Sequence, residues 1–191
     1  MKKKVVILGG GNGLSTLIRG IKLFPVDITA VVTVSDDGTS TGRLREEFNI
    51  PAVGDIRRVL VSLSETEPLV EELFNYRFKT TSELNGHTVG NLLLTAVTNI
   101  AGNMSDGIES LGKILNLKGK VLPLTEDNCT LMAEMIDGRI IEGEHNITEA
   151  SGVIKEVFYK EKPVITPETM KAIKEADLIV LSMGSLYTSI I

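Results

Sequence analysis

Apolar positions in the first part of the chain follow a strand–helix–strand pattern. Residues 5–8 are a short, fully apolar run that ends at three consecutive glycines, as expected for a central parallel strand. Across 14–23 the apolar residues recur every three or four positions, which predicts a helix with one buried face. Residues 28–34 return to an almost continuous β-branched run. Together these segments predict a βαβ unit, in which the two strands lie parallel.

The remaining pattern predicts a series of helices and a few more strands. Helices are expected near 43–48, 55–64, 67–78, 88–101 and 106–116, and strands at 121–122, 130–136, 139–144, 153–159 and 178–181. Asp137 and Gly138 separate two of these strands and predict a β-hairpin with a type I′ turn. Thr166 and Pro167 predict a helix start, as N-cap and first helical residue. We therefore expect an α/β fold: a Rossmann-like, doubly wound, mostly parallel sheet with a helical insertion and a β-hairpin, forming a single domain over 1–191.

The two ends of the chain bear on its location and its completeness. The N-terminal lysines precede only four apolar residues, too few for the core of a signal peptide, and no run of about 18 apolar residues occurs. We therefore expect a cytoplasmic protein without membrane insertion. Residues 182–191 have the pattern of a strand-to-helix turn and the start of an apolar helix, which ends before it could cover the sheet. We therefore also expect the chain to be truncated at its C-terminus.

Composition and charge exclude several classes of partner. The chain has 20 Lys and Arg against 25 Asp and Glu, a formal net charge of −5, so it lacks the positive field that nucleic-acid binding requires. Cys129 is the only cysteine, which excludes an internal disulfide and a multi-cysteine zinc site. We expect a small-molecule partner and no nucleic acid. The sequence leaves the protein partners and the oligomeric state open, a homo-oligomer included.

A glycine-rich loop joins the first strand to the first helix. Four of the five residues 9–13 are glycine, and they bring backbone amides and a helix N-terminus to the place where a phosphate can bind. The loop is not a dinucleotide fingerprint, because its third glycine would fall on Leu14 or Thr16. It also lacks the lysine of a Walker A loop. The loop therefore favours phosphate or nucleotide binding over a turn that merely requires glycines.

A second polar loop, residues 35–42, follows the second strand and is expected to open on the same edge of the sheet. Asp36 and Asp37 suit either a ribose hydroxyl or a divalent metal such as Mg²⁺. The hydroxyls and amides of residues 39–41 would then remain for phosphate. The alternative is a solvated turn.

Two later segments supply further candidate residues. Asp55 is a plausible N-cap, and Arg57 lies in the first helical turn, where the helix dipole disfavours a cation unless an anion lies nearby. His87 and Asn91 are four residues apart, so both face the same side of a helix start. Each segment could instead be an ordinary helix surface with tolerated polar residues.

Taken in order, six segments resemble the CofD/YvcK family, and most closely its YvcK branch, which includes the bacterial gluconeogenesis factor. The segments are GGGNGLS (9–15), SDDGTSTGRLR (35–45), PAVGDIRRVL (51–60), GHTVGNLLL (86–94), LTED (124–127) and GSLYTSII (184–191). The resemblance implies a Rossmann-like core that binds UDP-sugars such as UDP-N-acetylglucosamine, with a cytoplasmic role in cell shape and in growth on gluconeogenic carbon sources. For the sister CofD branch it implies a magnesium-dependent transferase, which moves a phospholactyl-type group from a guanosine diphosphate carrier to a deazaflavin.

The resemblance also implies a set of ligand-binding residues. Phosphate would lie against Gly10, Gly11, Asn12, Gly13, Leu14 and Ser15. Asp36 and Asp37 would lie at the ligand and a metal, and Thr39, Ser40, Thr41 and Gly42 would wrap the ligand. Asp55, Arg57, His87 and Asn91 would line the pocket, and Gly184 and Ser185 would complete it.

Three hypotheses of function follow from these motifs. The first is a nucleotide-sugar-binding regulatory protein, for which no catalytic residue is assigned. The second is a magnesium-dependent transferase of the CofD type, which the adjacent acids Asp36 and Asp37 favour. The third is an NAD-dependent oxidoreductase, which the missing third glycine disfavours.

Overall fold

The computed structural model describes residues 2–65 and 68–187. The elements in chain order are β1 (Lys3–Gly9), α1 (Gly11–Ile21), β2 (Val26–Val32), α2 (Thr39–Phe48), α3 (Gly54–Leu63), α4 (Pro68–Asn75), α5 (Val89–Ala101), α6 (Met104–Ile114), β3 (Lys120–Pro123), β4 (Leu131–Met135), β5 (Ile140–Glu142), α7 (Glu144–Glu149), β6 (Ile154–Tyr159), α8 (Pro167–Lys174) and β7 (Leu178–Leu181). Within these residues, no helix combines the length and the apolar character needed to cross a bilayer.

Four parallel strands form the larger sheet, in the order β3-β2-β1-β7. The chain builds outward from β1 through β2 to β3 and then returns to the opposite side of β1 as β7. This reversal creates a switch point between β1 and β7, and ligands of open α/β sheets bind outside the carboxyl ends of the strands at such a point. The α/β fold expected from the sequence is therefore confirmed.

One face of the parallel sheet carries the main hydrophobic core. Ile7 and Ala30 on neighbouring strands are fully buried beneath α1 and α3. The helices contribute Leu14, Ile18 and Ile56, which are also fully buried, as their helical spacing predicts. Burying each Leu or Ile side chain contributes about 1.5–3 kcal/mol, so this core anchors the first turns of both helices at the carboxyl edge of the sheet.

Three antiparallel strands form a second, smaller sheet in the order β5-β4-β6. The predicted hairpin is present as β4 and β5, but its turn is not type I′, which needs a positive φ at both central residues. Only Gly138 is left-handed, at φ 86°. Gly138 N donates to Met135 O at 3.0 Å, so the loop has three residues. Asp137 accepts from the backbone N of Arg139 at 3.1 Å, a local bond that favours this turn.

Helix α2 begins four residues earlier than the sequence pattern predicts. Residues 35–42 were expected to be a loop, whereas the helix starts at Thr39 and its first bond joins Gly42 N to Gly38 O at 2.7 Å. The N-cap is Gly38, without a side-chain cap, and the first turn, residues 39–42, contains no large apolar residue, which explains why a pattern of apolar periodicity missed it. The consequence is that the N-terminus of α2 lies within the predicted ligand loop.

Candidate functional site

The N-termini of α1, α2 and α3 meet at the carboxyl edge of the parallel sheet. Gly11 N, at the start of α1, donates to Asp55 Oδ2 of α3 at 2.6 Å. A Cβ on Gly54, at the start of α3, would lie 2.6 Å from both Asp36 Oδ2 and Thr41 Oγ1. A Cβ at position 54 would therefore displace the side chains of Asp36 and Thr41. Each helix N-terminus carries unsatisfied amides and a partial positive charge, so together they favour an anion.

The sequence predicted that Asp55 caps its own helix, and this prediction is wrong. Helix α3 begins at Gly54, and Val53 is its N-cap. Its carboxylate instead accepts from the first amide of α1 and, through Oδ1, from Arg58 Nη1 at 2.7 Å. Burial raises the pKa of Asp55, and the negative charge of Asp36 raises it further. Arg58 and the Gly11 amide oppose this rise. Burial and the neighbouring Asp36 thus both disfavour the charged form of Asp55.

The adjacent acids Asp36 and Asp37 face different parts of the molecule. Asp36 accepts from Gly38 N at 2.9 Å and extends toward Gly54 and the crevice. Asp37 accepts from His145 N at 2.8 Å, at the start of α7. The carboxylates that lie together at the crevice are therefore those of Asp36 and Asp55.

The crevice offers Mg²⁺ oxygen donors but not a complete set of protein ligands. Among residues 2–65 and 68–187, no group of three or more His, Cys, Asp and Glu side chains could hold a metal. The available donors are the carboxylates of Asp36 and Asp55. The hydroxyls of Thr33 and Thr41 lie close to Gly10 and Gly54, respectively. Proteins usually bind Mg²⁺ through one or two carboxylates together with substrate phosphates, and these residues fit that pattern.

The loops that follow β1 and β7 lie against each other at the switch point. A Cβ on Gly13 would overlap the carbonyl carbon and oxygen of Met183. Ser182 N donates to Leu8 O at 2.9 Å, which extends the pairing of the two strands. Gly184 and Ser185, which follow Met183 in the chain, are both exposed. The predicted second turn therefore lies on the same edge as the glycine loop, while residues 188–191 of its motif lie outside the described residues.

Two buried hydroxyls at this edge have no hydrogen-bond partner among the described residues. They belong to Ser15, in the first turns of α1, and to Ser182, directly after β7. Both residues are more than nine-tenths buried. A buried unsatisfied hydroxyl costs about 1–3 kcal/mol, and such groups usually find their partner in a ligand or an ordered water.

The other residues of the glycine loop have distinct surroundings. Gly10 lies where a Cβ would be 2.5 Å from both Asp55 Oδ2 and Thr33 Oγ1. Asn12 is exposed at the start of α1. Leu14, in contrast, is fully buried in the core, where its side chain anchors the helix beneath the loop. Only its backbone remains for a ligand.

Ser40, Arg57, His87 and Asn91 form one buried hydrogen-bonded chain. Ser40 Oγ lies 3.0 Å from His87 Nδ1 and 3.1 Å from Asn91 Nδ2. Arg57 Nε donates to Asn91 Oδ1 at 3.0 Å, and its Nη1 donates to Asn75 Oδ1. The structure thus brings together predicted residues from three motifs. In these contacts their side chains bond to other side chains of the protein.

Electrostatics keep this chain in a defined protonation state. Burial lowers the pKa of His87, and the charges of Arg43 and Arg77 lower it further, whereas Glu47 opposes them. Burial, together with the neighbouring arginines, lowers the pKa of Arg57 to about 10. Around neutral pH, therefore, Arg57 is charged and His87 is neutral.

Sequence reasoning missed Arg45, which holds the second loop in place. Arg45 is buried in α2, and its Nη1 donates to the carbonyl oxygens of Ser35 at 3.1 Å and Asp36 at 3.2 Å. Its Nε and Nη2 donate to Asn128 Oδ1 at 3.0 and 2.8 Å, and Nη2 also donates to Cys129 O at 2.6 Å. Its place inside a matching motif was the only available signal, because its partners are far away in sequence. Within the same loop, Thr39 is exposed and Gly42 packs closely against the carbonyl of residue 37.

Comparison with known proteins identifies relatives over the whole chain. The family model described as "2-phospho-L-lactate transferase CofD" matches residues 5–191. Proteins named gluconeogenesis factor from Bacillus subtilis and Halalkalibacterium halodurans are 53% and 52% identical over 191 residues, which is 100% of this chain and 60% and 59% of theirs. An X-ray crystal structure of a Bacillus halodurans protein matches with a TM-score of 0.97 at 52% identity, over 100% of this chain and 61% of that one. The chain thus spans about 60% of the length of these relatives.

Proposed function

The chain belongs to the CofD family, and from this premise we propose that it binds a nucleotide-sugar of the UDP-N-acetylglucosamine type at the carboxyl edge of its parallel sheet. The observation that carries the proposal is the convergence of the first turns of α1, α2 and α3 at this edge. The name of the relatives, gluconeogenesis factor, supports a regulatory role in growth on gluconeogenic carbon sources. We include a cytoplasmic location and a role in cell shape in the same proposal.

The diphosphate of such a ligand would meet the glycine loop and the second loop. Backbone amides at the helix starts supply donors, and each favourable charge–dipole contact contributes about 0.3–1 kcal/mol. The unpartnered hydroxyls of Ser15 and Ser182 supply further donors at the switch point. Their position beside the glycine loop supports binding of a phosphate-bearing ligand over a purely structural glycine turn.

A second candidate function is magnesium-dependent transfer from a nucleoside-diphosphate donor, as in CofD. The observation that favours it is the pair Asp36 and Asp55, because two carboxylates beside a diphosphate repel it unless a cation lies between them. Transfer of the phospholactyl-type group would break the bridging P–O bond of the donor's diphosphate, and Mg²⁺ when bound would neutralise the charge that develops on the departing nucleoside monophosphate. Asp36 and Asp55 would hold the cation, and the amides at the helix starts would orient the phosphates.

Isothermal titration of the full-length protein tests the two functions against each other. UDP-N-acetylglucosamine and GDP are each titrated with and without Mg²⁺. Micromolar binding of the UDP-sugar without Mg²⁺ supports the regulatory function, and GDP binding that requires Mg²⁺ supports the transferase. If neither ligand binds under either condition, both proposals are wrong.

Variants then locate the binding site. Gly54→Ala should weaken binding at least tenfold, because the new methyl group displaces Asp36 and Thr41 at the helix starts. Gly20→Ala is the matched control, since a Cβ there meets nothing within 4 Å and lies near the far end of α1. Equal affinity of both variants would place the ligand elsewhere.

A further inference from the structure

The buried chain of Ser40, Arg57, His87 and Asn91 has hydrogen-bond directions that its chemistry determines. The guanidinium of Arg57 can only donate, so Asn91 must present its carbonyl oxygen to Arg57 Nε, 3.0 Å away. The amide nitrogen of Asn91 then faces Ser40 Oγ at 3.1 Å and can only donate to it. The positive charge of Arg57 therefore sets the orientation of the Asn91 amide, and the hydroxyl oxygen of Ser40 accepts.

The remaining contact of Ser40 determines the tautomer of His87. Ser40 Oγ carries one proton, and the only other side-chain partner that the described residues provide is His87 Nδ1 at 3.0 Å. If Nδ1 carried a hydrogen, Ser40 would accept twice and leave its own buried proton without a partner, at a cost of about 1–3 kcal/mol. The favourable arrangement has Ser40 donating to a bare Nδ1. His87 is then neutral and carries its hydrogen on Nε2.

We infer that His87 is a positioning residue, whose bare Nδ1 holds the hydroxyl proton of Ser40 and thereby fixes the first turn of α2 against α3 and α5. Ser40 lies in the first turn of α2, Arg57 in α3 and Asn91 in α5. One directed chain thus joins the starts of three helices. Its relevance to a ligand rests on the proposed function, because these helix starts form the proposed site.

The directed chain also limits what Ser40 can offer to a ligand. Its proton is committed to His87 and one of its lone pairs to Asn91. Ser40 therefore cannot donate to a phosphate while His87 is neutral. A phosphate at this turn is bound by the backbone amides of residues 39–41, and His87 acts on it only through the position of the helix.

Asn91→Asp reverses the chain without removing it. The new carboxylate still accepts from Arg57, but it has no hydrogen for Ser40 and accepts the Ser40 proton instead. Ser40 Oγ then needs a donor, which a neutral His87 supplies by carrying its hydrogen on Nδ1 and not on Nε2. His87 carries one ring hydrogen in both proteins, on Nε2 in the wild type and on Nδ1 in the variant. His87→Asn is the conservative variant, because its amide oxygen lies near the position of Nδ1, whereas His87→Leu removes the acceptor.

Imidazole nitrogen NMR on the free protein tests the tautomer. Long-range ¹H–¹⁵N spectra at neutral pH distinguish a bare nitrogen from a protonated one, and the only other histidine, His145, is assigned by His145→Gln. We expect a bare Nδ1 and a protonated Nε2 in the wild type, and the opposite in Asn91→Asp. A protonated Nδ1 in the wild type, or an unchanged tautomer in Asn91→Asp, overturns the inference. This measurement requires no ligand, so it stands apart from the proposed function.

Hydrogen exchange tests the positioning role separately. We expect the amides of residues 42–44, the first that are hydrogen-bonded within α2, to exchange about fivefold faster in His87→Leu, and within about twofold of the wild-type rate in His87→Asn, since one buried hydrogen bond contributes about 1 kcal/mol. UDP-N-acetylglucosamine affinity should follow the same order. Equal exchange in both variants overturns the positioning role. If the wild type binds no nucleotide, the proposed function fails, while the exchange rates still decide this inference.

Discussion

The contact between Gly13 and Met183 can be tested by two identical substitutions in one helix. Gly13 and Gly20 both lie in α1, neither has a positive φ, and each would gain about 1 kcal/mol of helix propensity on replacement by Ala. A Cβ on Gly20 meets nothing within 4 Å. A Cβ on Gly13 overlaps the backbone carbonyl of Met183, which cannot rotate away as a side chain can.

The expected free energies of unfolding differ by about 3 kcal/mol. Accommodating the methyl group of Gly13→Ala moves the loop after β7 by more than an ångström, and overpacking of this kind costs about 1–3 kcal/mol. Shifting the adjacent bond from Ser182 N to Leu8 O, now 2.9 Å, costs about 1 kcal/mol more. The propensity gain offsets part of this, so Gly13→Ala should destabilise the fold by about 2 kcal/mol. Gly20→Ala should stabilise it by about 1 kcal/mol.

Urea unfolding followed by far-UV circular dichroism measures this difference. With a typical slope of about 2–3 kcal/mol per molar urea, the two midpoints should lie about 1–1.5 M apart, with Gly20→Ala above the wild type and Gly13→Ala below it. Both slopes should match that of the wild type. Equal midpoints would refute the reasoning, because they would show that the loop after β7 does not rest on the start of α1.

Three further predictions concern the second loop and its neighbours. Gly143→Ala should cost about 1–2 kcal/mol more than Gly138→Ala in urea unfolding, because both glycines have positive φ but only a Cβ on Gly143 displaces a carboxylate that holds α7; equal costs would contradict that contact. Arg45→Met should lower the free energy of unfolding by about 3 kcal/mol, because it leaves buried backbone carbonyls without a donor. Arg43→Met should lower it by less than about 1 kcal/mol, because the carbonyls that it leaves are exposed to water. Similar losses in urea unfolding would contradict the role of Arg45 in holding the second loop. Burial lowers the pKa of His87 below its ordinary 6.5, so the unfolded chain binds its proton first and stability falls as pH decreases from about 6.5 toward the folded pKa. His87→Asn should lack that part of the acid loss in a pH series of unfolding midpoints, and an identical series in both proteins would contradict the shift.

Most of the fold could be predicted from short-range patterns in the sequence. The strands of the parallel sheet are nearly continuous apolar runs, and apolar residues recur every three or four positions in most helices, so these elements are visible within their own sequence. The short helix α7, Glu144–Glu149, was not predicted. The early start of α2 was missed because its first turn, residues 39–42, contains no large apolar residue, so apolar periodicity does not reveal it. The predicted type I′ turn of the hairpin was wrong because the side chain of Asp137 accepts a hydrogen bond from the backbone N of Arg139, which favours a three-residue loop.

The sequence indicated candidate residues for a site but not the contacts that these residues make. Polar, glycine-containing loops after two strands were expected to meet at one edge of the sheet, because carboxyl ends of parallel strands share an edge, and the structure brings these loops together there. Asp37, however, meets His145 across 108 residues, and no local pattern separates it from Asp36. Asp55 likewise caps a helix 44 residues earlier instead of its own. Such pairings depend on packing, which a linear pattern does not contain.

The position of β7 has a consequence for synthesis of the protein on the ribosome. The side chain of Lys3, at the start of β1, bonds Asp177 directly before β7, 174 residues later. At about 5–20 residues per second, roughly 10–35 seconds separate the translation of these two segments. During that interval one edge of β1 has no strand to pair with, and exposed strand edges favour aggregation. The nascent chain therefore passes through a vulnerable stage, and a chaperone that covers β1 would act before the switch-point crevice exists.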